Sequence, residues 1–233
     1  MSLLVPEEFE QLFQGQRYNH RVSTHGDRVA RILYEDLYTL NLSPLFKQRV
    51  DEQACVANTL NVVTGQKSRR GDGLFGEALP GSNPEVQLGR NVAVGPTANV
   101  QIGAEVKILA KSMIKQIDRV INDLRHQASV FSKANQAAIT IGIVGVNHAT
   151  SYTSYEGDRA YTAEGNKAPS REAPRIIERL KHEAAPSFDE FIVLPFQASN
   201  TEPYSFSWVN ISRTEQELNA ALLRTIRLYE NRF

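Results

Sequence analysis

Residues 138–146, Ala-Ile-Thr-Ile-Gly-Ile-Val-Gly-Val, form a nearly continuous apolar run. A run this short suits a strand covered on both faces, the situation of a strand in parallel pairing. Just upstream, Met113, Ile114, Ile117, Val120, Ile121, Leu124, Ala128 and Phe131 recur at helical spacing and predict a long helix with one apolar stripe. Before that helix, residues 99–109 alternate as a strand does. Strand, helix and covered strand in succession predict an α/β protein with a mixed central sheet flanked by helices.

The remaining elements are read from periodicity and punctuation. Residues 6–20 are expected to form a short amphipathic helix on Phe9, Leu12 and Phe13. Residues 26–40 form a second helix, and residues 45–57 a third after Ser43-Pro44. A strand is expected over 58–64, then a glycine-rich functional loop over 65–81. Residues 86–94 pair with 99–109 through a turn at Gly95-Pro96. Residues 147–170 read as a tyrosine-rich polar loop, 171–185 as a helix, and 191–196 and 206–209 as strands. Ser212 with Glu215 has the capping-box pattern, opening a helix that runs to the end with Leu218, Leu222, Ile226 and Tyr229 on one side.

With 233 residues and 41% hydrophobic content, the chain has enough for one sizeable core, and one domain over 1–233 is the default. Lys plus Arg and Asp plus Glu both number 26, so net charge alone does not advertise nucleic-acid binding, although a local basic cleft remains compatible with it. The single cysteine, Cys55, excludes an intrachain disulfide and a zinc site built on several cysteines. It is expected to be a small core residue in a chain at home in a reducing cytoplasm. No signal-peptide pattern opens the chain, and no apolar run reaches the ~20 residues of a membrane span.

Along the strand Val100-Gln-Ile-Gly-Ala-Glu-Val-Lys-Ile-Leu109, alternation places Val100, Ile102, Ala104, Val106 and Ile108 on one face and Gln101, Gly103, Glu105 and Lys107 on the other. An acid and a lysine side by side on an apolar strand are expensive to bury and call for a reason. Metal-dependent phosphodiester hydrolysis supplies one: the carboxylate holds a divalent cation, and the lysine sits beside the attacking water and the phosphate. The plain alternative is a strand-edge acid–base pair facing solvent.

An acid, then a strand with Glu-x-Lys, a helix and an apolar strand resembles the restriction-endonuclease-like superfamily, the PD-(D/E)xK nucleases. The resemblance covers about residues 26–146, and leaves 147–233 as a C-terminal elaboration. It implies a core of helix, three strands, helix and strand. It also implies Mg²⁺, with Mn²⁺ as a substitute, bound by Glu105 and one further acid, and Lys107 as the lysine that positions or activates water. The Pro-Asp half of the signature is absent as such, since Pro96 is followed by Thr97. Asp72, in Arg69-Arg-Gly-Asp-Gly73 and 33 residues before Glu105, is the first candidate for the second acid, with Glu77 and Glu85 as alternatives. Its glycine flanks allow close backbone approach, and Arg69 and Arg70 are placed to meet phosphates.

Other residues carry weaker signals. Lys111, Lys115 and Arg119 make a basic stripe, of which Lys111 stands nearest the acid–lysine strand and reads as a phosphate contact. Gln116 resembles the glutamine some relatives carry on the following helix, and Glu35 the auxiliary acid some carry on the early helix. Asn147 and His148 follow the covered strand, and strand ends in α/β folds often host sites; His148 is a candidate proton shuttle or DNA contact. The segment 151–161, with Arg159 and several tyrosines, is a candidate for stacking on a base or closing over a partner. The expectation is a Mg²⁺-dependent endonuclease of restriction type acting on double-stranded DNA, as a homodimer in the analogy. The alternative is a catalytically inactive nuclease-like fold used as a binding module.

Overall fold

The computed structural model describes residues 3–20, 22, 24–58 and 71–233, with the backbone of 62–63 and 66–67. The element order is α1 (Leu4–Gln11), α2 (Thr24–Leu40), α3 (Pro44–Asp51), β1 (Cys55–Asn58), β2 (Val62–Val63), β3 (Gln66–Lys67), β4 (Gly73–Glu77), β5 (Ile102–Leu109), α4 (Met113–Ala134) and β6 (Ile139–Asn147). It continues through β7 (Ser151–Glu156), β8 (Arg159–Glu164), α5 (Pro169–Arg179), β9 (Glu190–Ala198), β10 (Phe206–Trp208) and α6 (Ile211–Arg232). The fold is α/β, with a curled mixed sheet of six strands in the order β1-β4-β5-β6-β9-β10. β4 is antiparallel to both β1 and β5, β5, β6 and β9 are parallel, and β10 is antiparallel to β9. Among the described residues, no helix is long and apolar enough to cross a membrane.

The covered strand is β6, buried at every position. Ile139, Ile141 and Ile143 join the core with Phe9, Leu33 and Leu222, so α1, α2 and α6 lie over one face. Val144 and Val146 join Ile117, Leu124 and Ile176, so α4 and α5 lie over the other. Two-sided cover is why β6 reads as an unbroken apolar run while α2, α4 and α6 each show one apolar stripe.

Several expected boundaries move. The first helix ends at Gln11, and the chain turns through Gly15 at φ 69°. The third stops at Asp51, where Gln53 adopts φ 52°; Cys55–Asn58 is thereby released to pair with β4 as a fully buried strand. Of the strand expected over 58–64, residues 59–61 and 64 lie outside the described residues, and Val62–Val63 pairs with Gln66–Lys67. Residues 86–94 form no strand: Glu85 and Val94 make an isolated bridge, and Leu88 is fully exposed. Residues 151–164 form a hairpin, β7 with β8, rather than a loop; the alternating tyrosines and threonines suit strands, and Gly157 at φ 61° makes the tip. α6 is capped by Asn210, whose side chain accepts from Arg213 N, in place of the Ser212–Glu215 box.

Candidate active site

The regular alternation of the acid–lysine strand begins at Ile102. Upstream of it Val100 packs with Leu74, Phe131 and Ala138, on the side of α4. Gln101 instead turns to α6, where its carbonyl accepts from Tyr229 Oη at 2.5 Å and from Cys55 Sγ at 3.3 Å. From Ile102 on, Gly103, Glu105 and Lys107 share the face toward α4, as alternation requires. Gly103 has no side chain because Phe131 occupies the space; a Cβ there would lie 2.5 Å from Phe131 Cγ.

Sheet register brings Asp72 to this face. Gly73 pairs with Ala104 across the antiparallel β4–β5 ladder, so the residue before Gly73 stands beside Glu105. Asp72 Oδ2 accepts a hydrogen bond from Val106 N at 2.7 Å. Glu105 is buried and forms an ion pair with the partly buried Lys107. Gly71 also lies close: a Cβ there would meet Glu105 Oε2 at 3.0 Å and Ala104 O at 2.9 Å. Three charged groups from two strands therefore share a half-enclosed space beneath α4.

Their electrostatics follow from that enclosure. Burial raises the Asp72 carboxyl to about 7, and the Glu105 charge pushes the same way; Lys107 and the Val106 amide oppose it, and Asp27 adds to it. Burial pulls Lys107 downward, yet Glu105, Asp72 and Asp123 outweigh it and hold the ammonium above its usual range. Two crowded carboxylates are hard oxygen donors whose mutual repulsion a divalent cation relieves. No group of three or more His, Cys, Asp or Glu placed to hold a metal exists among the described residues. A two-carboxylate set suits Mg²⁺, which keeps several waters and takes one or two protein carboxylates.

Two residues near the cluster were not singled out in the sequence. Asp27 lies in the first turn of α2, where an acid reads as a response to the helix dipole. The adjacent Gly26 abuts the Asp72 carboxylate, with Oδ1 and Oδ2 2.6 and 2.7 Å from where its Cβ would be. Gln127 is buried on α4, one turn before Phe131, and its Nε2 has no hydrogen-bond partner among the described residues. An amide inside an apolar stripe was a legible signal for Gln127; for Asp27 there was none.

The other candidates divide. Arg69 and Arg70 lie outside the described residues. Glu77 and Glu85 are exposed and not at the cluster: Glu77 ends β4 away from Asp72, and Glu85 bridges Val94. Glu35 is buried and accepts from Asn91 N and Val92 N, fixing that loop. Gln116 donates to Lys111 O, a local bond at the start of α4. Lys111 follows β5 at the end where Lys107 lies, half-buried. Asn147 is fully buried and spends its carboxamide on Ala110 O, Ala198 O, Ala149 N and Ala198 N, a structural clasp. His148 follows directly at the end of β6, with Nε2 buried and without a partner among the described residues; burial lowers its pKa. Arg159 is exposed on the β7–β8 hairpin. Comparison of the chain with family models, curated proteins and solved structures returns no match.

Proposed function

We propose that the protein is a Mg²⁺-dependent DNA endonuclease with a restriction-endonuclease-like core, in which Asp72 and Glu105 hold the metal. The observation that carries this reading is the register of β4 on β5, which sets an acid from one strand beside a Glu-x-Lys pair on the next. The element order supports it as well: with α3 and the separate β2–β3 hairpin intervening, α2, the strands β1, β4 and β5 of the main sheet, α4 and the parallel strand β6 follow the helix, three-strand, helix, strand order that the resemblance implies.

In this reading Lys107 orients the attacking water and takes up charge beside the scissile phosphate, while Glu105 keeps its ammonium in place. A bound Mg²⁺ supplies Lewis acidity at the phosphate and a more acidic water. Lys111 and the basic residues 69–70 would contact flanking phosphates, and a two-fold pair of chains would cut both strands. One cysteine, buried at Cys55, fits a reducing cytoplasm. A catalytically silent binding module is the second reading, favoured by the direct Glu105–Lys107 ion pair and the absence of a third ligating side chain among the described residues.

Supercoiled plasmid incubated with the protein in Mg²⁺, Mn²⁺ or EDTA separates them. The nuclease reading expects metal-dependent cutting that Glu105→Ala and Lys107→Ala abolish. Cutting that survives both substitutions, or no cutting of plasmid or single strands, refutes it.

A further inference from the structure

An open cavity of about 420 Å³ is lined by Arg17, Tyr18, Asn19, His20, Tyr155 and Gly157. We infer that this cavity receives an unpaired nucleobase of the DNA strand held at the cluster. The inference rests on the nuclease reading for its substrate class and on its own geometry for the site.

The geometry has three parts. The first is a stacking platform. The exposed Arg17 guanidinium lies 3.5 Å from the centroid of the Tyr155 ring, and both residues line the cavity. Guanidinium planes and tyrosine rings are the surfaces on which proteins stack extruded or single-stranded bases. Holding the arginine on an aromatic ring before binding lowers the entropy lost when a base arrives.

The second part is rigidity. Tyr18 stacks on Phe13 with centroids 4.5 Å apart, and its backbone N and O both bond the Asn200 carboxamide, at 2.8 and 3.3 Å. Asn200 also donates to Thr153 O at 2.8 Å, two residues before Tyr155 on the same strand. Gly15 N donates to Tyr204 O at 2.9 Å. The loop carrying Arg17 and the hairpin carrying Tyr155 are thereby tied through one buried residue.

The third part is position and charge. Tyr18 stacks on His25 with centroids 5.1 Å apart, and the next residue, Gly26, abuts the Asp72 carboxylate. The first turn of α2 therefore links Tyr18, which lines the cavity, to the Asp72 carboxylate. None of the lining residues is acidic, which suits a polyanion. In an intact duplex both faces of a base are covered by its neighbours, so stacking on Arg17 requires a base that is single-stranded or flipped out.

The test is fluorescence anisotropy of a labelled single-stranded DNA dodecamer and its duplex, in EDTA so that cutting does not intervene. Arg17→Ala and Tyr155→Ala are expected to weaken single-strand binding on the order of tenfold each. Tyr155→Phe, which keeps the ring, binds like the wild type and controls for folding. Arg17→Lys keeps the charge but loses the plane; it is expected to stay weakened, with an unchanged slope of affinity against salt. Wild-type affinity in Arg17→Lys, or equal losses for single strand and duplex, overturns stacking in favour of plain charge. Wild-type affinity in all variants overturns the site altogether. The two readings fail separately: binding through the cavity without any plasmid cutting removes the nuclease and leaves the base site, whereas cutting with indifferent cavity variants does the reverse.

Discussion

Gly26→Ala sets helix propensity against a single steric contact, and the sign of its effect reports whether the Asp72 carboxylate rests on α2. Within a helix, alanine is better than glycine by roughly 0.5–1 kcal/mol. Here, however, the new methyl would fall 2.6 and 2.7 Å from the two Asp72 carboxylate oxygens, so the carboxylate must leave. Leaving breaks its 2.7 Å bond from Val106 N. A hydrogen bond to a charged group is worth about 1.5–3 kcal/mol, so with Asp72 ionised, above its raised pKa of about 7, the net expected effect is a loss of about 0.5–2.5 kcal/mol. In an Asp72→Ala background the obstructing atoms are gone, and Gly26→Ala should stabilise by up to about 1 kcal/mol. The coupling between the two substitutions is then about 1.5–3 kcal/mol, within the range for residues in contact. Urea unfolding of the four proteins in EDTA measures it. Equal stabilisation by Gly26→Ala in both backgrounds would refute the placement of Asp72 against the helix. In the plasmid assay Gly26→Ala is also expected to lose on the order of 10²-fold in rate, the usual result of moving a reacting group by about 1 Å.

Other consequences can be checked alongside. Burial raises the Asp36 carboxyl to about 6 from 3.8, against the pull of the Leu4 and Val5 amides that it accepts from. A carboxyl raised in the folded state contributes stability that is present at low pH and lost as pH rises, here by about 3 kcal/mol between roughly pH 4 and 6. Asp72 adds slope of the same sign up to about pH 7, so the Asp36 share is the difference between wild type and Asp36→Asn; a pH-independent difference in urea midpoint would contradict it. Asn147→Ala strips four buried bonds and should cost about 2–4 kcal/mol, while plasmid cutting persists below the lowered melting temperature; loss of cutting in a folded Asn147→Ala protein would return the strand end to the active site. Cys55 has its thiol pushed up to about 11, chiefly by burial, so Ellman's reagent at pH 8 should react only through unfolding, and fast labelling of the native protein would contradict its place in the core.

Much of the fold was legible because its signals are local. The stripe of α4, the apolar run of β6 and the one-sided helix α6 repeat within a few residues, and each meets a core on the side its apolar atoms require. Glu105 and Lys107 share a face for the same reason, since residues two apart on a strand must. Less local features went astray. The alternation read back to Val100 failed at Gln101, because Tyr229, 128 residues away, claims its carbonyl. Cys55–Asn58 was absorbed into a helix because nothing nearby announces that β4 needs an antiparallel partner there. The tyrosines of 151–164 read as a loop because a hairpin with one exposed strand shows little burial pattern.

The amino-acid sequence by itself determined the α/β class, the positions of the main helices, the covered strand and the adjacency of one acid and one lysine, all set by periodicity along the chain. Which acid joins them was decided only by the tertiary structure. Its glycine flanks set Asp72 ahead of Glu77 and Glu85 in the sequence, but only the pairing of Gly73 with Ala104 puts Asp72 beside Glu105 and sends the other two elsewhere. The approach of α2, with Gly26 against that carboxylate and Asp27 nearby, was equally invisible, because sequence separation carries no record of which surfaces meet when the chain closes on its core.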